Sequence, residues 1–199
     1  PMTFWEHLEE LRTRLIRSAA VLLVGVGIAW YYKEKLKDAI AAPFCDAWVK
    51  HDVPGKCNLT FAAPQAAFTS YLKLAVIGGL GLAAPFIFYQ LWGFIAPGLY
   101  QREKRYVIPF ALFSSLLFVG GAWFGYLGAF PFTFGYFLSL AGSSDASRVA
   151  IVPMVTMESY IDFVFQVLLG FGIIFEIPIL LTFLAMIGVV NHRQLLRFS

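Results

Sequence analysis

Three long stretches with almost no charged residue constrain this chain more than any other feature of its sequence. No Asp, Glu, Lys or Arg occurs in residues 74–101 or 106–144, and Glu176 is the only such residue in 163–192. A helix needs about 20 residues to cross the hydrocarbon core of a bilayer, so each stretch is long enough to span a membrane. With 59% hydrophobic and 14% charged residues, the chain also lacks the polar surface that a soluble domain presents to water. These features disfavour a soluble enzyme, a disordered chain and a nucleic-acid-binding module.

The same pattern predicts an all-α, polytopic helical membrane protein that forms a single membrane domain over residues 1–199. The apolar runs are continuous and show no alternation with a period of two, which argues against the strands of a barrel. The four predicted spans lie near residues 15–32, 74–95, 107–128 and 163–187.

The first 14 residues predict a short amphipathic helix in front of the first span. Thr3 and Glu6 have the spacing of a capping box, in which each side chain bonds a free N–H of the first turn. Phe4, Leu8 and Leu11 recur at helical spacing and form one apolar stripe. Such a helix would lie along the membrane surface and run into the first span.

Two loops, at about residues 33–70 and 129–158, are predicted on the side of the membrane opposite the N-terminus. Three prolines in the first loop, Pro43 among them, oppose one helix over its whole length, and Pro131 in the second indicates a broken helix end. The side that carries the N-terminus has eight Lys and Arg residues and the other side has six. The positive-inside rule therefore favours a cytoplasmic N-terminus and periplasmic loops.

Both cysteines, Cys45 and Cys57, fall in the first of these loops. A disulfide between them would stabilise the loop by roughly 3 kcal/mol on the chain-entropy argument if that side of the membrane is oxidising. Two unpaired thiols in a structured loop explain the sequence equally well. The sequence leaves both alternatives open.

No catalytic or metal-binding motif stands out. The three histidines lie in separate segments without a zinc-protease or nucleophile-elbow pattern, so we expect no enzyme activity, no cofactor and no metal. Residues 79–84, GLGLAA, match a dinucleotide-binding pattern, but inside a charge-free span helix packing explains them better. The G-x-x-x-G pair of Gly121 and Gly125 likewise predicts close approach of another helix.

Glu176 is the outstanding polar residue at membrane depth. A charge at the bilayer centre costs about 2.5–3.5 kcal/mol on insertion scales, so such residues usually face a cavity or a partner. Pro178 follows it and removes a helical hydrogen bond from the preceding turn. We favour a functional role over a protonated Glu that only bonds a neighbouring helix. Gln90 is expected to be an interhelical hydrogen-bond partner within the membrane.

Five blocks of residues are spread over nearly the whole chain: HLEELRTRL at 7–15, AP at 42–43, APFIFYQLW at 84–92, FIAPGLY at 94–100 with Glu103 after it, and FEIP at 175–178. In sequence and in order they resemble the TatC family, the polytopic receptor of the twin-arginine protein-translocation system. The resemblance implies a curved wall of six transmembrane helices with both termini in the cytoplasm. On this expectation the 199 residues contain four of the six helices and lack the last two.

The function implied by the resemblance is that of the core receptor of the twin-arginine translocase in the bacterial inner membrane. Such a receptor binds the Arg-Arg signal peptides of folded proteins at the cytoplasmic face and nucleates an export complex driven by proton motive force. It is not an enzyme.

By motif position, Glu10 and Glu103 would be the carboxylates that bind the arginine pair, since a guanidinium can hold a carboxylate through two hydrogen bonds. Ordinary salt bridges are the alternative for both: Glu10 with Arg14 on one helix, and Glu103 with a neighbouring arginine. The supporting residues would be Arg12, Arg14, Phe94 and Tyr100.

The partners implied by the resemblance are the signal peptides of folded cargo, the single-span subunits TatA and TatB, other TatC copies and membrane lipid, with no nucleic acid. Glu176 would face the interior of the curved wall, where it contacts a partner or thins the membrane by attracting water. Two other functions stay open. One is a proton-coupled secondary transporter that uses Glu176 as its relay, and the other is a structural membrane assembly subunit.

Overall fold

Helices account for most of the part of the chain that the structure describes. The computed structural model describes residues 4–51, 53, 55–95, 107–142 and 154–186. Four of its helical segments are long and apolar enough to cross a membrane, which confirms the predicted all-α membrane fold. The elements are α1 (Phe4–Tyr31), α2 (Lys33–Lys50), α3 (Pro64–Ile95), α4 (Val107–Phe124), a π-helical turn called the π-turn (Gly125–Ala129), α5 (Phe130–Gly142) and α6 (Met157–Met186).

The first helix, α1, is continuous rather than divided into a surface helix and a span. It contains no proline, and its first glycine is Gly25, so the backbone offers no site at which the helical hydrogen bonds are interrupted. The predicted N-terminal helix is therefore the first part of α1 and not an element of its own.

Two helices begin earlier than the spans predicted from the charge pattern, and the charges near the predicted span ends pair with each other. Helix α3 begins at Pro64 and not near residue 74, and α6 begins at Met157 and not near residue 163. Lys73 Nζ donates a hydrogen bond of 2.6 Å to Asp162 Oδ1 across the two helices. A charge that is paired in this way does not have to mark the end of a helix at the membrane surface.

The predicted loop of residues 33–70 contains α2, and Pro43 lies inside that helix. Proline has no N–H, so the carbonyl of Ala39, one turn earlier, loses its helical hydrogen bond. The hydroxyl of Tyr126 donates to that carbonyl over 2.7 Å and replaces the missing donor. The prolines do prevent one helix over the whole loop, but Pro43 does not end α2.

The predicted break at Pro131 corresponds to the π-turn, after which the helix continues. Helix α4 leads into the π-turn, and α5 then extends to Gly142. Pro131 is the second residue of α5, and a π-turn accommodates a local change in the hydrogen-bond pattern. The expectation of a loop from residue 129 was therefore wrong for residues 130–142, which are helical.

The larger apolar core lies where α2 and α5 pack against the beginnings of α3 and α6. Phe44, Phe130, Phe134 and Tyr160 are buried there. Their rings pack with centroids 5.4–5.7 Å apart. Aromatic pairs at such distances add to the burial of apolar area, so this end of the molecule is rigidly packed.

The chain that follows α2 is held by a disulfide and a short β-bridge. Cys45 and Cys57 are joined by a disulfide, which decides between the two alternatives for these cysteines. The backbone N–H of Thr60 donates to the carbonyl of Val155 over 3.1 Å, and that of Met157 donates to the carbonyl of Thr60 over 2.8 Å. These bonds attach the segment before α3 to the start of α6.

Glycines bring the spans into direct backbone contact. A β-carbon on Gly79 would lie 2.6 Å from the backbone nitrogen of Val26 in α1, and one on Gly25 would lie 2.8 Å from the carbonyl oxygen of Gly79. Gly121 in α4 meets α6 in the same manner, since its β-carbon would lie 2.6 Å from the carbonyl oxygen of Phe171. The interpretation of Gly79 and Gly121 as packing residues is confirmed, and Gly25 is a further glycine at such a contact.

Candidate functional site

An ion pair on α1, together with a glutamine side chain that bonds it, joins the N-terminal part of α1 to the end of α3. Arg14 donates to Glu10 Oε1 through Nε at 2.9 Å and through Nη2 at 2.7 Å. Its third donor, Nη1, reaches Gln90 Oε1 at 3.2 Å. The spacing of four residues places Glu10 and Arg14 on one face of α1, and we call these three residues the Glu10 cluster. The salt bridge proposed as the alternative for Glu10 is therefore formed.

The last turn of α3 contacts α1 at two points beside this cluster. A β-carbon on Gly93 would overlap Nη1 of Arg14 and lie 3.1 Å from its Cζ, so the absence of a side chain makes room for the guanidinium. The next residue, Phe94, stacks on His7 with ring centroids 4.4 Å apart and planes inclined by 17°. Together the two contacts fix the position of the guanidinium and of the helix turn that precedes Glu10.

One oxygen of Glu10 is left without a donor. The side chains of Glu10 and Arg14 are 21% and 24% exposed, yet Glu10 Oε2 is buried and has no hydrogen-bond partner among the described residues. A buried acceptor without a donor costs free energy, so a ligand that supplies an N–H at this oxygen gains affinity. The cluster adjoins a shallow, open depression of roughly 400 Å³ on the surface of α1, which we call the cleft and which is lined by Glu6, Glu9, Glu10, Thr13, Arg14 and Arg17.

The structure brings only some of the predicted site residues together. Arg14, Gln90 and Phe94 lie at or beside Glu10, whereas Arg12 is exposed and does not line the cleft. Glu103 and Tyr100 lie outside the described residues, and their roles stay predictions.

A second polar cluster lies within the spans, and its residue on α3 is two positions after Gln90. Glu176 on α6 is only 8% exposed and is hydrogen-bonded to Ser114 on α4. Ser114 Oγ in turn accepts a hydrogen bond of 2.8 Å from Trp92 Nε1 on α3. Glu176 Oε1 is buried without a hydrogen-bond partner among the described residues. We call these three residues the Glu176 cluster, which ties three spans together.

Sequence reasoning missed Trp92 and Ser114. A signal was present, because an indole N–H and a hydroxyl inside charge-free spans both need a hydrogen-bond partner in hydrocarbon. For Gln90 the sequence predicts an interhelical hydrogen bond within the membrane. Gln90 is an interhelical partner, and its side chain bonds Arg14 in the Glu10 cluster.

Comparison with known proteins identifies the family. Residues 6–199 match the profile of TatC, described as Sec-independent protein translocase protein (TatC). The chain belongs to the TatC family. The TatC of Koribacter versatilis is 40% identical over 96% of this chain and 67% of its own length. The TatC of Desulforapulum autotrophicum is 42% identical over 94% of this chain and 66% of its own length. The chain thus spans about two thirds of the length of these relatives.

Solved TatC structures have the same fold as this chain. A crystal structure described as the twin arginine translocase receptor TatC matches it with a TM-score of 0.81 and 37% identity, covering 97% of this chain and 80% of that one. A second TatC crystal structure, obtained in DDM, matches with a TM-score of 0.82 and 35% identity over 97% of this chain and 81% of that one. Membership of the TatC family, with four helices long enough to span a membrane, makes the chain a multi-pass protein of the bacterial inner membrane. It is a component of a protein translocase and not an enzyme.

Proposed function

We propose that this TatC-family chain is a receptor that binds signal peptides with two adjacent arginines at the cytoplasmic face of the membrane. The observation that carries the proposal is the hydrogen bonding of the two carboxylate oxygens of Glu10. Arg14 occupies one carboxylate oxygen, Oε1, through two hydrogen bonds, while Oε2 is buried and lacks a donor among the described residues. A guanidinium from a signal peptide that enters the adjoining cleft can supply that donor.

The chemistry of this site favours arginine over lysine. A guanidinium is planar, always charged and less strongly hydrated than an ammonium, so it loses less when it donates to a partly buried carboxylate. Three carboxylates of α1, those of Glu6, Glu9 and Glu10, line the cleft together with Arg14 and Arg17. In our proposal Glu10 takes one arginine of the pair and Glu103 takes the other.

Ion pairs alone do not hold such a peptide. Exposed pairs contribute about 0–1 kcal/mol each, whereas micromolar affinity needs roughly 8 kcal/mol. The arginine contacts therefore set register and specificity. We infer that the apolar segment of the signal peptide supplies the remaining affinity by burial along the membrane-facing wall, where contacts with lipid and protein replace contacts with water.

The Glu176 cluster is proposed as the contact for a single-span partner subunit of the TatA or TatB kind, or for a second TatC copy, in an assembly driven by proton motive force. Glu176 Oε1 has no donor among the described residues, so a polar side chain on a partner helix would satisfy it. Glu176→Ala should leave signal-peptide binding intact and reduce recovery of partner subunits after mild detergent solubilisation. Unchanged recovery and normal export would make Glu176 a residue of internal packing only.

Site-specific photocrosslinking tests the receptor proposal. A photoreactive residue at Thr13, which lines the cleft, should crosslink a precursor with an Arg-Arg signal in inner-membrane vesicles, and much less one with Lys-Lys. Glu10→Gln should lower crosslinking of the Arg-Arg precursor by about two- to fivefold, the ratio expected for loss of one such contact of up to about 1 kcal/mol. Glu9→Gln is the matched control, because it removes one carboxylate from the same cleft but not the Glu10 cluster.

Equal crosslinking of Arg-Arg and Lys-Lys precursors, or an equal effect of the two substitutions, would contradict the assignment of Glu10. The competing transporter function is tested separately by reconstituting the protein in liposomes. Proton-dependent flux of a small solute that is lost in Glu176→Gln would favour the transporter.

A further inference from the structure

A cavity on the side of the membrane away from the Glu10 cluster lies between α2 and α5. Its volume is about 700 Å³, within the range of roughly 300–1,000 Å³ that ligand sites occupy. The α2 wall carries Asp46, Lys50 and His51, and the α5 wall carries aromatic and small residues that include Phe132 and Gly135. One wall is thus charged and the other is mainly apolar.

The charged groups of this cavity are not used by the protein itself. Asp46 and Lys50 are four residues apart on one face of α2, a spacing at which opposite charges often pair. Yet, within the described part of the chain, neither forms an ion pair or a side-chain hydrogen bond, and the same holds for the His51 side chain. A β-carbon on Gly135 would lie 3.3 Å from His51 Nε2, so the imidazole reaches across to α5.

The opposite wall has the character of a surface in contact with lipid. It continues the apolar helical segment Val107–Ser139, and its side chains project outward: Leu127 is 57% exposed, Phe132 81% and Tyr136 58%. Aromatic residues are typical of the boundary between hydrocarbon and headgroups. A ligand in this cavity must therefore carry charged groups that face one wall and apolar groups that face the other.

The depth of the cavity agrees with this composition. If the hydrocarbon core of about 30 Å begins near residue 107, some 20 helical residues bring its far edge close to Leu127. Tyr126 bonds the carbonyl of Ala39 and Gly135 adjoins His51, so α2 and α5 run side by side in the same direction. By interpolation Asp46 is level with Pro131, about 6 Å beyond the hydrocarbon edge, which is the depth of phospholipid headgroups.

We propose that this cavity binds a phospholipid with a primary-amine headgroup, of the phosphatidylethanolamine class, in the leaflet opposite the N-terminus. The carboxylate of Asp46 accepts hydrogen bonds from the ammonium of the lipid, and Lys50 and His51 donate to its phosphate. The acyl chains follow the exposed side chains of Leu127 and Phe132 toward the membrane core. A bound lipid would then fill the space between α2 and the span that ends in α5.

Lipid titration followed by native mass spectrometry tests this proposal on the intact protein, purified in detergent and stripped of lipid. The probes are phosphatidylethanolamine, phosphatidylcholine and phosphatidylglycerol with identical acyl chains. Phosphatidylcholine keeps the phosphate but its quaternary ammonium has no N–H, and phosphatidylglycerol has no amine. We expect retention of phosphatidylethanolamine to exceed that of the other two by roughly two- to fivefold, the ratio that one exposed charged contact provides.

Two pairs of variants locate the effect. Asp46→Asn should abolish the preference for phosphatidylethanolamine over phosphatidylcholine, whereas Asp38→Asn, on the same helix but outside the cavity, should retain it. Lys50→Gln should weaken retention of all three lipids relative to Lys56→Gln. Equal retention of the three lipids, or equal behaviour within either pair, would overturn the proposal. The measurement involves no signal peptide, so its failure would leave the proposed receptor function untouched.

Discussion

Replacing Gly79 with alanine should separate α1 from α3 and destabilise the protein. The added β-carbon would lie 2.6 Å from the backbone nitrogen of Val26 and 2.9 Å from its Cα, and backbone atoms cannot rotate away as a side chain can. Non-bonded carbon atoms normally stay about 3.5–4.0 Å apart, so the two helices must move apart by roughly 1 Å at their crossing. Gly81→Ala is the matched control, since no atom lies within 4 Å of its β-carbon.

The magnitude follows from the comparison of the two substitutions. Each gains about 0.8–1.0 kcal/mol of helix propensity, and this gain cancels in the difference. Insertion of a methyl group into a closely packed contact costs about 1–3 kcal/mol. The free energy of unfolding of Gly79→Ala should therefore be about 1–3 kcal/mol lower than that of Gly81→Ala.

Unfolding in mixed micelles, by titration with a denaturing detergent and tryptophan fluorescence, measures this difference. The Glu10 cluster offers a second readout, because Arg14 on α1 bonds Gln90 on α3 and a wider crossing draws these helices apart. Crosslinking of an Arg-Arg precursor should thus fall in Gly79→Ala and not in Gly81→Ala. Equal unfolding free energies for the two variants would refute the idea that backbone contact at Gly79 holds α1 against α3.

Two further substitutions probe the rest of the fold. Double replacement of Cys45 and Cys57 by serine should destabilise the segment after α2 by about 3 kcal/mol. Amide hydrogen exchange in residues 55–63 should become faster, while crosslinking of the signal peptide should stay unchanged. Unchanged hydrogen exchange would contradict this prediction. Ser114→Ala removes the acceptor of the Trp92 indole N–H and should cost about 1–3 kcal/mol for a buried donor left unpaired. The free energy of unfolding and the tryptophan emission should change more in Ser114→Ala than in Ser115→Ala. Equal changes in the two variants would contradict the hydrogen bond between Ser114 and Trp92.

The sequence predicted well the features that depend on residues close together in the chain. The three long, nearly charge-free stretches, together with the shorter one at 18–32, indicated four spans. The sequence blocks spread along the chain indicated the family. Gly79 and Gly121 were correctly interpreted as packing residues, because a glycine inside an apolar span has few other uses.

The features that it did not predict depend on residues distant in the chain. Lys73 lies just before the predicted span at 74–95, and the sequence does not show that it pairs with Asp162, which is 89 positions away. Trp92 and Ser114 each need a hydrogen-bond partner within the membrane, but the sequence does not show that they bond each other. The helical periodicity of one segment does not reveal which side chain of another will supply a hydrogen bond. The ion pair of Glu10 with Arg14 was predictable because the two residues are four positions apart. Gln90 was predicted to bond another helix, but its partner was not predictable, because Arg14 is 76 positions away.

The hydrogen bond from Tyr126 to the carbonyl beside Pro43 has a consequence for the order in which this protein can change during evolution. While residue 43 is proline, loss of the tyrosine hydroxyl leaves the Ala39 carbonyl without its donor, at a cost of about 0.5–1.5 kcal/mol. Once residue 43 regains an N–H, that carbonyl has a partner within its own helix and the hydroxyl becomes dispensable. A lineage can therefore lose the proline first and the tyrosine later with little penalty, whereas the reverse order passes through a weakened ancestor.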